Sequence, residues 1–265
     1  MEELITSLQN PKIKHLLTLQ KKSSDRRSEG VFVVEGMREI NHCTEAGFEV
    51  ETVYYCPELN TPQKHRLEKA KWFALSSKVY EKVAYRGSTE GVIAVVKSKS
   101  HTLNDLKLSN KPLILVIEGV EKPGNIGAIL RSADAAHADA VIVCDPLTDL
   151  YNPNLIRSSI GAVFTVPCAV CSSEECIDFL KKNNISILTA QLQDSKLYYD
   201  TDMTRSTAIV MGTEATGLTN IWREAADAHI LIPMLGRLDS LNVSVSAAIL
   251  LFEAVRQRQN MKESD

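Results

Sequence analysis

From residue 113 to the end of the 265-residue chain, short β-rich apolar runs alternate with stretches of helical periodicity, and this alternation leaves few folds open. Strand and helix in repeating order is the pattern of a parallel sheet with helices packed on its faces. Residues 113–120 read as the first strand. The turn Glu121-Lys122-Pro123-Gly124-Asn125 follows, then a helix in which Ile126, Ile129, Leu130 and Ala133 recur at helical spacing. Residues 140–144 form the next strand. A polar loop, 145–154, punctuated by Pro146 and Pro153, leads into a helix over 155–162 and a strand over 163–170. Ser172 and Glu175 stand at capping-box spacing, which predicts a helix ending near Lys182 and a strand over 185–190. The alternation continues with a strand at 208–212, a helix at 218–226, a strand at 229–233 and a long last helix at 243–258.

The first hundred residues alternate too, in shorter and more heavily charged elements: a helix at 11–21, a strand at 31–35, a helix to Ala46, a strand at 50–55 and a closing strand at 91–96. The reading is a separate small α/β domain over 1–100, a polar linker over 101–111 and a larger α/β domain over 112–265. A hydrophobic fraction of 44% with 24% charged residues supplies enough apolar side chain for real cores, so disorder is excluded as the default. No apolar run approaches the roughly 18 residues needed to span a bilayer. Met1-Glu2-Glu3 lacks the basic-then-apolar pattern of a secretory signal, so a cytoplasmic protein is expected.

The formal net charge of -3 gives no attraction of the whole chain to nucleic acid, but a local face can still be basic. Lys12, Lys14, Lys21, Lys22, Arg26 and Arg27 are opposed in their stretch only by Asp25. That run is either an RNA-binding strip or a solvated helix face. Six cysteines scattered over this length predict free thiols in a reducing compartment. Cys168-x-x-Cys171 with Cys176 suggests a metal or redox pair, but no second pair or nearby histidine completes four ligands, and small core residues are the plainer reading. The six histidines are dispersed and read as structural. Trp72, Trp222, Tyr54, Tyr55 and Tyr85 form no alternating base-stacking platform.

Three segments place polar residues at the ends of apolar strands, where open α/β sheets bind ligands. In Pro123-Gly124-Asn125-Ile126-Gly127-Ala128-Ile129-Leu130-Arg131, a glycine-bearing turn opens a helix; Asn125 and Arg131, less than two turns apart, can address one phosphate or sugar. In Val210-Met211-Gly212-Thr213-Glu214-Ala215-Thr216-Gly217-Leu218, an apolar strand opens into a glycine-flanked turn that is neither a dinucleotide fingerprint nor a Walker loop. Glu214 there either caps the next helix or binds a ligand hydroxyl or cation. The third segment, Ile232-Pro233-Met234 and then Ser240-Leu241-Asn242-Val243-Ser244-Val245-Ser246, makes Ser240 or Asn242 either an ordinary N-cap or part of a site.

Taken together, in this order and at these separations, the three segments resemble the SpoU family, also called TrmH, of RNA ribose 2′-O-methyltransferases in the SPOUT superfamily. Motif one corresponds to 125–133, motif two to 212–218 with the preceding 154–167, and motif three to 232–253; the resemblance covers 110–258. Asn10-Pro11-Lys12-Ile13-Lys14 and Phe32-Val33-Val34-Glu35-Gly36 are similar to the small ribosomal-protein-like RNA-binding domain often attached to that family.

The resemblance implies an α/β fold with a parallel sheet whose last segment is threaded into a deep trefoil knot, an exception to the rule against knots. It implies S-adenosyl-L-methionine bound in that crevice through backbone groups of Gly212, Ile232 and Leu241, with Ala190 at the end of its strand as a further contact. Backbone groups suit this ligand, because an apolar loop grips adenine by shape while amides and carbonyls read its edge. Methyl transfer from a sulfonium is an in-line displacement that needs alignment and a deprotonated acceptor, so no metal is expected. The family's catalytic positions fall on Arg131, Asn125, Glu214, Ser240 and Asn242. A guanidinium stays protonated, so Arg131 is read as gripping phosphate and stabilising the ribose oxyanion; the alternative is that Arg131 is the base and RNA phosphate takes its proton. RNA phosphate contacts are expected from Lys12, Lys14, Lys21, Lys22, Arg26, Arg27, Arg38, Arg86 and Arg157. Ribosomal RNA is the favoured substrate and transfer RNA the second, because folded RNA is read by shape and exposed loop nucleotides. A homodimer is implied, with Arg131 of one subunit near its partner's cofactor. The reading from another class is a catalytically silent RNA-binding or ribosome-assembly protein; a nucleotide-dependent α/β enzyme lacks a phosphate loop.

Overall fold

A computed structural model describes residues 4–60, 67–85, 90–213 and 216–262, with the side chains of 261 and 262 left aside. In chain order its first elements are β1 Leu4–Ile5, α1 Pro11–Lys21, α2 Ser23–Glu29, β2 Val31–Glu35, α3 Met37–Glu45, β3 Val50–Tyr55, β4 Lys71–Leu75, α4 Ser77–Val83 and β5 Val92–Lys97. Then come β6 Leu113–Glu118, α5 Pro123–Ala135, β7 Ala140–Cys144, α6 Pro153–Ser159, α7 Ala162–Thr165, β8 Cys168–Cys171, α8 Ser173–Lys182 and β9 Ser186–Ala190. The last are β10 Lys196–Leu197, β11 Thr207–Met211, α9 Asn220–Ala225, β12 Ala228–Leu231 and α10 Val243–Lys262. These elements form two compact units: Met1–Lys99 with Asp149–Thr165, and Ser100–Thr148 with Val166–Asp265.

The first unit is built on a five-stranded sheet of order β1-β4-β3-β5-β2, mixed because β5 runs antiparallel to both its neighbours. Helix α1 begins as its sequence dictates: Pro11 occupies the first turn and Asn10 caps it, accepting from the Lys12 amide at 2.9 Å. Its buried stripe, Ile13, Leu16 and Leu19, packs with Val31, Val33, Ile93 and Val95 of the sheet. The segment Asp149–Thr165 supplies a second, aromatic core. Phe32 stacks on Tyr151 with centroids 4.1 Å apart and lies 5.8 Å from Phe164.

The second unit carries a seven-stranded sheet of order β10-β12-β9-β11-β6-β7-β8, every pairing of which is parallel. Every residue of β6, β7 and β11 is buried, as a sheet covered on both faces requires, and this is why those strands read as unbroken apolar runs. From β6 the chain steps outward through β7 to β8, then crosses to β9 on the other side. That reversal of direction opens a crevice at the carboxyl ends of the strands.

Two parts of the sequence reading change. Residues 163–165, expected to begin a strand, are helical: Ile160 in a left-handed conformation (φ 54°) and Gly161 (φ 87°) end α6, a further turn α7 buries Ala162, Val163 and Phe164, and the strand starts only at Cys168. The stretch 101–111 is ordered rather than plain connection. A 3-10 turn, Leu103–Asp105, is closed by a Thr102–Asp105 capping box, and Leu103, Leu106 and Leu108 pack half-buried against the core of the second unit. The chain also contains β1, α2, β4, α4 and β10, which the sequence reading did not anticipate. Among the described residues, no helix is long and apolar enough to cross a membrane.

Candidate active site

The loops that follow β9, β11 and β12, closed by the start of α10, enclose a cavity of about 440 Å³. Ala190, Gly212, Ile232 and Leu241, the four residues expected to hold a cofactor, all line it, as does Ser240. Met211, Ile230 and Leu250 give apolar wall, while Asp239 and Arg223 bring one charge of each sign.

Close backbone approach shapes this cavity. A Cβ on Gly212 would stand 2.2 Å from the Gly217 carbonyl oxygen, so no other residue fits without moving the loop. Thr213 and Gly217 exchange backbone hydrogen bonds of 3.3 and 3.0 Å across the pinch, and Gly217 itself sits at φ +68°. Where this loop leaves, a buried carboxylate fixes it. Glu118, the last residue of β6, accepts from the Thr219 amide at 2.9 Å and the Thr219 hydroxyl at 2.6 Å. The Ser173 hydroxyl lies 3.1 Å from the same carboxylate and 2.6 Å from Asp145, and it accepts from Nε1 of the fully buried Trp222 at 3.0 Å. Trp222 stands on α9 beside Arg223, so the Glu118 network anchors both the loop and the helix that carries the cavity's cation.

A second, open surface lies on α5 and α10, which pack along one another. Asn242, between the lining residues Leu241 and Val243, caps α10. Its Oδ1 accepts from the Ser244 amide at 3.0 Å and the Ser244 hydroxyl at 2.6 Å. Its Nδ2 donates to Oδ1 of Asn125, in the first turn of α5, at 3.2 Å. One side chain thus serves both as helix cap and as a bridge between two segments 117 residues apart. Arg131 extends from the same helix, α5, exposed, with no hydrogen bond or ion pair among the described residues, and it does not line the cavity. Glu214 lies outside the described residues.

The expected RNA-contacting residues divide. Lys14, Lys21, Lys22 and Arg27 are exposed and make no ion pair among the described residues; Lys12 lies over the Phe73 ring at 4.6 Å. Arg38 pairs with the buried Glu39 at 2.6 Å, and exposed Arg157 donates to the Tyr85 carbonyl at 3.0 Å. Arg86 lies outside the described residues. Arg26 requires a correction. It is only 4% exposed, and its guanidinium donates to the Leu19 carbonyl and pairs with Asp149, so it is an internal tie rather than a phosphate contact. Sequence reading also missed Glu118, Arg223 and Asp239. For Glu118 a signal existed, since an acid closes an otherwise apolar strand, Leu113-Ile114-Leu115-Val116-Ile117-Glu118.

Comparison with known proteins adds to this geometry. Residues 112–252 match the model of the SpoU rRNA methylase family, and residues 10–94 match that of an MRM3-like substrate binding domain. The chain is 32% identical over 245 residues, 88% of its length and 85% of the relative's, to a 23S rRNA (uridine(2479)-2′-O)-methyltransferase of Streptomyces viridochromogenes. It resembles the crystal structure of an RNA 2′-O ribose methyltransferase at 40% identity and a TM-score of 0.84, covering 97% of this chain and 99% of that one. It also resembles an AdoMet-bound rRNA methyltransferase from Sinorhizobium meliloti at 27% identity and a TM-score of 0.88, covering 96% and 97%.

Proposed function

Because the chain belongs to the SpoU rRNA methylase family, we propose that it is an enzyme that transfers the methyl group of S-adenosylmethionine to a ribose 2′-hydroxyl of 23S ribosomal RNA. The observation that carries this reading is the cavity at the carboxyl ends of β9, β11 and β12, lined by Ala190, Gly212, Ile232 and Leu241 together. Its volume falls among small-molecule sites, which run from about 300 to 1,000 Å³. The Gly212 pinch leaves backbone groups open to a ligand, and Asp239 and Arg223 match a cofactor that carries ammonium and sulfonium cations with a carboxylate.

When bound, S-adenosylmethionine supplies a methyl group on a positively charged sulfur, open to in-line attack. The protein's part is alignment, exclusion of water and management of one proton. Backbone groups of Gly212, Ile232 and Leu241 hold the adenine end, while Ser240, Asn242 and Asn125 organise the acceptor sugar at the edge of the cavity. Glu214, two residues after Gly212 in the sequence, is assigned a positioning role. The Arg131 guanidinium holds RNA phosphate and stabilises negative charge on the 2′-oxygen as the hydroxyl loses its proton. The alternative path runs through Arg131 itself, with its proton passing to an RNA phosphate.

The unit of residues 1–99 with 149–165 is assigned to RNA binding and the unit of 100–148 with 166–265 to methyl transfer. Exposed Lys14, Lys21, Lys22 and Arg27 supply the phosphate contacts, with Lys12, Arg38, Arg86 and Arg157 as further candidates. A homodimer belongs to this reading, and exposed apolar side chains support it: Leu235 (96% exposed) and Leu238 (79%) precede α10, and Val245 and Phe252 lie two turns apart on it. Arg131 is exposed and does not line its own cavity, which suits service to a partner's. The trefoil threading of the last segment and a cytoplasmic location belong to the same reading. Sedimentation over a range of concentrations showing only monomer would remove the dimer. The central test is incubation with methyl-labelled S-adenosylmethionine and separately purified 23S, 16S and transfer RNAs, followed by nuclease digestion and mass spectrometry. A 2′-O-methylnucleoside in 23S RNA is expected; label on a base, on protein or on another RNA overturns the assignment.

A further inference from the structure

All six cysteines are free thiols, and three of them meet. Strands β7 and β8 pair in parallel with Cys144 directly beside Cys171, and α8, which starts two residues after Cys171, places Cys176 against both. The three sulfurs lie within 4.8 Å of one another. Cys168 is not among them. Alternation along β8 puts it on the opposite face from Cys171, so the pair that stands out in the sequence is not the pair that touches. Neither the cofactor cavity nor the Asn125–Asn242 surface uses this cluster.

The cluster is asymmetric. Cys144 and Cys176 are fully buried, whereas Cys171, the last residue of the edge strand β8, is partly exposed. Hydrogen bonds from the thiols of Cys144 and then Cys176 pull the Cys171 thiol well below its ordinary range, against burial and the carboxylates of Glu175 and Asp145, which act the other way. Cys144 is pushed far up by the same contacts with Cys171 and Cys176 and by burial. Three sulfurs with no fourth ligand among the described residues do not close a tetrahedral metal site. A partly exposed thiol with two buried thiols within 4.8 Å is instead the arrangement of a reversible oxidation site.

We propose that Cys171 is a modification site for hydroperoxides, oxidised first to a sulfenic acid and then bridged to Cys144 or Cys176. The Cys171 thiolate attacks one peroxide oxygen, the O–O bond breaks, and the leaving oxyanion takes a proton to become water or an alcohol. The neighbouring thiol gives up its proton and attacks the sulfenic sulfur; the S–S bond forms, the S–O bond breaks, and hydroxide leaves with that proton as water. The two sulfurs together lose the two electrons that the peroxide gains. Paired residues on adjacent strands lie about 4.8 Å apart, inside the Cα separation that a disulfide spans.

The test treats the reduced full-length protein with one equivalent of hydrogen peroxide, blocks remaining thiols under native and then denaturing conditions, and maps them by tandem mass spectrometry. Loss of two thiols with a cross-link from Cys171 to Cys144 or Cys176 is expected, at a rate roughly tenfold or more above any oxidation of Cys43, Cys56 or Cys168. In the folded Cys144→Ser/Cys176→Ser double variant, Cys171 should stop at the sulfenic acid and be captured by dimedone. An unmodified Cys171 in the wild-type protein, oxidation spread evenly over all six thiols, or an undiminished cross-link in Cys171→Ser overturns the proposal. The wild-type measurement decides the matter even where a variant does not fold.

Discussion

The cavity and the open surface beside it meet at the start of α10 and work on opposite terms. In the cavity, contact comes from backbone and shape: Gly212 is dictated by a carbonyl 2.2 Å from where its Cβ would be, and Glu118 works at a distance through Thr219. On the surface of α5 and α10, polar side chains are presented instead, with Asn125 bonded to Asn242 and Arg131 exposed. The first region should govern cofactor affinity and the second the rate of transfer.

Five substitutions can break or sharpen that division. Arg131→Ala should lower kcat by about a hundredfold to a thousandfold, the scale of removing one donor to a developing oxyanion, with the S-adenosylmethionine Kd unchanged. Arg131→Lys recovering full activity would show that the planar fork is not needed. Gly212→Ala should weaken S-adenosylmethionine binding by about a hundredfold in calorimetry, because the pinched loop must open. A lower kcat at unchanged Kd would merge the two regions. Thr219→Val, which removes one hydrogen bond to a buried carboxylate, should raise Kd by about fivefold to tenfold at nearly constant kcat. The smallest effect is expected in the first unit, where Lys21→Gln should reduce the slope of log RNA affinity against log salt by about one and leave both cofactor parameters alone.

The second sheet was legible and the first only partly, for a physical reason. Parallel strands buried on both faces appear as apolar runs, so β6, β7, β9 and β11 fall within a residue or two of the sequence reading, and Ser172 and Glu175 form the full capping box. In the first unit, β4 reads Lys71-Trp72-Phe73-Ala74-Leu75 and β1 is two residues long, too short and too mixed to show a period. Residues 163–165 are β-branched or aromatic and read as strand. The left-handed Ile160 that turns them into a helical turn is invisible in the one-letter code.

The site divides in the same way. Ala190, Gly212, Ile232, Ser240 and Leu241 come from the resemblance of their segments to the SpoU family, not from residue pattern alone, and they share one cavity. Arg26 misled because a run of bases reads as a solvated face, while its true partner lies 123 residues away. Glu118 shows in the sequence only as an acid closing an apolar strand, and its role depends on partners 55 and 101 residues further on.

The return of Asp149–Thr165 to the first unit has a consequence for anyone dividing this chain. A cut near residue 100 would not release an intact N-terminal piece. It would strip Phe32 of its Tyr151 and Phe164 neighbours and leave the Arg26 guanidinium sealed inside without Asp149. Removing one partner of a buried ion pair costs about 3–5 kcal/mol, a large fraction of what a domain this small has to spare. A soluble fragment for RNA work therefore has to carry residues 149–165 by circular permutation or a grafted linker, and inheritance of one half without the other would meet the same obstacle.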